Sequence, residues 1–185
     1  DGAIVDGQPF EEWLRGTIEY GFVEWLTRAF VHDVRETRNQ TSMGKLYDAV
    51  PDVDRVEFRG TVDLGEETEE ETAAFDVVLR DRMGQPLVVT DLNDSRDPAT
   101  EPMLESLIRN ATPVAETNDR LAAAFFVTSS YYEPGALETA EESTGSGFLS
   151  RGKNKSFVKL SRKDGYHLCL VETREGEFHV SVPEL

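Results

Sequence analysis

Residues 73–93 read AAFDVVLRDRMGQPLVVTDLN, and this stretch decides the fold. Two apolar runs, Ala73 to Arg80 and Leu87 to Leu92, flank Met83-Gly84-Gln85-Pro86, whose Gly and Pro favour a turn. The pattern predicts a β-hairpin. A turn centred between Met83 and Gly84 pairs residues whose numbers sum to 167, which sets Asp76 opposite Asp91. Opposed residues on an antiparallel pair hold their Cβ atoms about 4.5–5.5 Å apart on one face. Asn93, two residues further, points the same way. Two carboxylates so close repel each other unless one is protonated or a cation lies between them. Among Val77, Val78, Leu79, Val88, Val89 and Leu92 they are costly to bury without such a reason. A hard divalent ion held by carboxylates and water would supply one.

Upstream, residues 9–37 predict one long amphipathic helix. Pro9 suits its first position, and Phe10, Trp13, Leu14, Ile18, Phe22, Trp25, Leu26, Ala29 and Phe30 form an apolar stripe. A short helix over Met43 to Val50 ends at Pro51, and Arg55 to Leu64 alternates as a strand. Downstream, Asp97-Pro98 opens a helix, with Pro113 beginning a second turn. Leu121 to Thr128 is an apolar run suited to a strand buried on both faces. Pro134 to Glu142 reads as a helix that Thr144-Gly145-Ser146-Gly147 breaks. Phe157 to Leu160, Tyr166 to Glu172 and Glu177 to Val182 predict a C-terminal three-strand meander with Gly165 and Gly176 in its turns. The order α-β-β-β-α-β-α-β-β-β predicts an α/β (α+β) chain, a mixed β-sheet flanked by helices. Residues 1–52 form an N-terminal helical segment packing on a core of residues 53–185, one domain overall.

The hairpin, with Phe75-Asp76 on one strand and Asp91-Leu92-Asn93 on the next, resembles the restriction-endonuclease-like (PD-(D/E)xK) superfamily. The segment Phe125 to Ser130 followed by Pro134 to Ala140 is similar to the strand–helix unit of Mrr-type restriction endonucleases and archaeal resolvases. The resemblance spans about Val53 to Glu172. It implies a restriction-endonuclease-like fold, metal ligands Asp76 and Asp91, Mg²⁺ or Mn²⁺ as cofactor if the pair is functional, and Asp76, Asp91 and Asn93 as catalytic positions. Asn93 stands where the family has a lysine, and an amide neither takes a proton from water nor offsets phosphorane charge. A lysine from the 153–163 cluster could substitute from another strand. The alternative is that the pair is the remnant of an ancestral site.

The 185 residues carry 36 acidic against 19 basic side chains, a net charge of −17, and 38% are hydrophobic, which argues against disorder. Fourteen of the basic residues are Arg and five are Lys. That acidic, Lys-poor composition looks like that of a salt-adapted protein from a halophilic archaeon. In ~1 M salt the screening length is about 3 Å, so net charge alone does not bar a polyanionic partner. Arg151, Lys153, Lys155, Lys159, Arg162 and Lys163 form a stretch free of acids, the candidate surface for nucleic acid or a partner. A lysine-protected edge strand is the plainer reading. No membrane-length apolar run or secretory segment is present, which suits a cytoplasmic chain. One cysteine excludes an internal disulfide, and no Walker A or dinucleotide fingerprint occurs.

Two functions therefore stand open. The first is a divergent, non-catalytic nuclease-fold module that binds DNA or another domain of the same protein, as the C-terminal part of a longer chain. The second is an active Mg²⁺- or Mn²⁺-dependent DNA phosphodiesterase, a metal-dependent endonuclease.

Overall fold

The computed structural model describes residues 4–36, 43–65, 71–145 and 156–182. A small antiparallel pair, β1 (Ile4–Val5) and β2 (Gln8–Pro9), leads into α1 (Phe10–Arg15) and α2 (Ile18–Glu24). A π-helical stretch, Trp25–Phe30, continues into α3 (Val31–Glu36). The helix expected over residues 9–37 is thus not continuous. Gly16 favours the helix poorly, and the Thr17 hydroxyl donates to the Leu14 carbonyl at 2.7 Å and accepts from the Tyr20 N–H at 3.3 Å, restarting the chain as a new helix. The π stretch has a steric logic. Phe22, Leu26, Phe30 and Val34 are all fully buried at a spacing of four. On an α-helix that spacing drifts about 40° per step, and a wider turn returns the stripe to one face.

Next come α4 (Gly44–Ala49), a 3₁₀ turn at Val50–Asp52, and strands β3 (Arg55–Asp63), β4 (Thr72–Arg80) and β5 (Pro86–Asn93). Then follow α5 (Glu101–Thr117), β6 (Ala123–Thr128), α6 (Pro134–Thr144), β7 (Phe157–Val158), β8 (Tyr166–Arg174) and β9 (Glu177–Val182). Pro113 lies inside α5 rather than starting a new turn.

The seven-stranded sheet runs β3-β4-β5-β6-β8-β7, with β9 also on β8. The pairs β3–β4 and β4–β5 are antiparallel, whereas β5–β6 and β6–β8 are parallel. The C-terminal strands do not form a free meander. β6 occupies one side of β8, so β7 pairs with the start of β8 and β9 with its end along the same outer side.

Helices cover both faces. Leu104, Leu107, Ala111 and Val114 of α5 and Ala136 and Ala140 of α6 pack with Val78, Val89, Ala124, Phe126 and Leu170. On the other face Phe22, Leu26, Phe30 and Leu46 pack with Val77, Leu79, Val88, Phe125 and Val171. β6, apolar up to its last residue Thr128, is buried along its whole length, as its sequence predicts. Among the described residues no helix is long and apolar enough to cross a membrane. Cys169 is a buried free thiol.

Candidate functional site

The central hairpin keeps the expected register over Val77↔Thr90, Val78↔Val89 and Leu79↔Val88, all summing to 167. Toward the turn it shifts to Arg80↔Pro86. Asp81 closes the loop: its carboxylate accepts the N–H groups of Met83 and Gln85, both at 2.9 Å, and Gly84 takes a φ of 85°.

At the other end the backbone ladder stops at Val77 and Thr90, one step before the two aspartates. Asp76 Oδ2 accepts the Leu92 N–H at 2.8 Å, a bond across the strands where the ladder pairing has lapsed. Burial, reinforced by the charge of Asp76, pushes the Asp91 carboxyl from 3.8 up to about 6, against the pull of the Asp76 N–H.

The sheet is irregular along this row. Ala73 and Phe75 join the cluster under α5 and α6, whereas Val77 and Leu79 join the opposite one, so strict alternation slips at Asp76. On β3 the register skips the residue across from it: Phe58↔Val77 and Gly60↔Phe75 pair, and Arg59 between them has a φ of 53°. Non-glycine residues seldom occupy that region, which is favoured only where surrounding structure imposes it. Asp91 in turn pairs with Phe126 on β6. Sequence spacing gave no sign of Arg59, because its position depends on the pairing of β3.

Asn93 is buried and its amide is spent within the surrounding loops. Its Nδ2 donates to the Asp97 carbonyl at 2.9 Å and to Thr128 Oγ1 at 3.2 Å, and its Oδ1 accepts from Ser95 Oγ at 2.7 Å. The side chain ties the exit of β5 to that of β6. Thr128 and Ser95, which complete this network, carried no motif by which the sequence would reveal them.

The described part of the basic stretch lies elsewhere. Lys163 Nζ binds Asp119 Oδ1 at 2.7 Å, just ahead of β6, and Lys45 Nζ donates to the Gly165 carbonyl at 2.7 Å, just ahead of β8. Lys159 follows β7, beyond its pairing of Val158 with Tyr166. Lys159, Arg162 and Lys163 are exposed and line a shallow concavity of about 560 Å³. This is the end where β6 and β8 begin, whereas Asp91 and Asn93 stand where β5 ends. Six parallel residues separate the two ends by about 17–20 Å. These lysines are therefore not brought to the carboxylates. Arg151, Lys153 and Lys155 lie outside the described residues.

A metal fits the aspartate pair in a limited way. One oxygen of Asp76 is engaged by Leu92, and among the described residues no group of three or more His, Cys, Asp or Glu gathers to hold an ion. The donor set suits a Mg²⁺-like ion that keeps several waters, not an all-protein cage.

Over residues 1–185 the chain matches the family described as "Domain of unknown function (DUF7527)", and it belongs to that family. No curated protein matches it. Among solved structures it is similar to the YaeQ protein from Xanthomonas axonopodis pv. citri, with 18% identity over 77% of this chain and 72% of that one. The TM-score of that pair is 0.25, too low to carry any conclusion about fold or chemistry.

Proposed function

We propose that this member of the family is a divergent restriction-endonuclease-like module that binds nucleic acid rather than cutting it. One observation carries the reading: the Asn93 amide, at the position the nuclease resemblance assigns to lysine, is consumed by Asp97, Thr128 and Ser95. It has no capacity left to position an attacking water. Binding then falls to the exposed basic end, with Lys159, Arg162 and Lys163 described and Arg151, Lys153 and Lys155 adjoining them in sequence.

The test is binding of a labelled DNA duplex in molar KCl by the wild type and by a Lys159→Glu, Arg162→Glu, Lys163→Glu triple variant. The expected result is binding lost in the variant. Equal binding by both proteins refutes the patch, and DNA ignored by the wild type shifts the reading to a partner domain.

The raised pKa of the Asp91 carboxyl beside Asp76 favours a second reading, a Mg²⁺- or Mn²⁺-dependent phosphodiesterase in which the pair holds the ion. Plasmid cleavage with Mn²⁺ at high salt tests it. Cleavage that persists in Asp76→Ala comes from another source and ends this reading.

A further inference from the structure

A second cavity lies away from the described basic residues, just beyond the end of β5 that carries Asp91 and Asn93, with Asp94 in its lining. It has a volume of about 580 Å³ and lies between the α1–α2 corner and the β8–β9 turn, where β5 and β6 end. In sheets with parallel strands, ligands gather outside the carboxyl ends of those strands, and cavities of this size hold small molecules.

Its charges are the informative part. Arg174 is paired with Glu172 at 2.6 Å, and Glu24 with Arg28 at 3.0 Å, so those side chains are already balanced. Arg15, Asp94 and Glu175 line the same cavity, are exposed, and have no hydrogen-bond or ion-pair partner among the described residues. One free cation and two free carboxylates thus face one space. Ile18 and Phe178 add an apolar wall, and Phe178 stacks on Trp25 with ring centroids 5.7 Å apart.

We propose that this cavity binds a small zwitterion, an α-amino acid with an apolar side chain. Its carboxylate meets the Arg15 guanidinium, which suits a carboxylate bidentately. Its ammonium meets Asp94 and Glu175, and its side chain lies against Ile18 and Phe178. A simple anion would confront two carboxylates, and a simple cation would confront the arginine. A peptide end offers only one of the two charges. The zwitterion satisfies all three groups, and this assignment is independent of the nucleic-acid reading.

Isothermal titration of the full chain with L-phenylalanine in molar KCl tests the proposal, using ligand up to about 20 mM because so small a molecule binds weakly. Saturable binding is expected. The single-charge analogues 3-phenylpropanoate and 2-phenylethylamine are expected to bind at least about tenfold more weakly, as are the Arg15→Gln and Asp94→Asn variants toward L-phenylalanine. Both substituted residues are exposed, so unchanged melting curves without ligand show that the fold is intact. Absence of saturable binding, analogues that bind as tightly as L-phenylalanine, or full affinity in Arg15→Gln overturns it.

Discussion

Replacing Asp91 by Asn should make the protein more stable at neutral pH. The folded protein raises the Asp91 carboxyl from 3.8 to about 6, chiefly through burial and next through Asp76. Disfavouring the ionised form to that degree corresponds to about 2–3 kcal/mol at a partly hydrated site. Because the folded value is the higher one, the stability this group contributes is fully present below about pH 4 and is lost as pH rises through 6. Asparagine keeps nearly the same size and shape and carries no charge. Urea unfolding of both proteins in molar KCl at pH 4, 5, 6 and 7 gives the difference directly. The variant should match the wild type at the acid end and exceed it by about 2–3 kcal/mol at pH 7. Millimolar Mg²⁺ should narrow the gap by stabilising only the wild type if the pair holds an ion. A variant less stable than the wild type at pH 7, or a difference that does not change with pH, refutes this account of the site.

Thr90 is fully buried and its hydroxyl has no hydrogen-bond partner among the described residues, so Thr90→Val should raise stability by about 1 kcal/mol in the same denaturation assay. Gly165 has a φ of 105°, and a Cβ there would overlap the Val158 carbonyl oxygen. Gly165→Ala should accordingly cost about 3 kcal/mol or more and loosen β7, read as lost amide-exchange protection at Val158. Burial lowers His167 from 6.5 to about 4, with Lys45 adding to the effect. Its contribution is whole above pH 6.5 and is lost as pH falls through 4, the reverse of Asp91, so His167→Gln should flatten the acid side of the stability profile by about 3 kcal/mol.

The hairpin shows how far a local pattern reaches. Alternation and turn chemistry set Asp76 opposite Asp91, and the structure keeps the sum of 167 over three consecutive pairs but ends the ladder at Val77↔Thr90, one step short of the aspartates. The same reasoning gave no hint that the ladder ends at Val77, because the slip at Asp76 is shared with Arg59 on a strand joined from the far side. Asn93 was recognised as a departure from the nuclease pattern, but its role as a tie between loops needed Thr128, 35 residues away. The basic stretch was visible as a run of charge, and the separation of its described residues Lys159, Arg162 and Lys163 from the carboxylates became visible only once β6 and β8 were known to run parallel to β5.

The sequence alone determined the order of elements from β3 onward, the hairpin, the doubly buried central strand and the buried positions Phe22, Leu26 and Phe30 of the N-terminal stripe, whereas it gave no sign of the β1–β2 pair. Each follows from side-chain periods and turn residues that act over a few neighbours. The tertiary structure decided the broken first helix, with its π stretch fitted to the sheet face, and the placing of β7 and β9 along one side of β8. It also decided the parting of the aspartate pair from the described lysines. Those outcomes depend on which strands share backbone hydrogen bonds across long separations, and a period of two residues says which face a side chain takes but not which strand lies beside it.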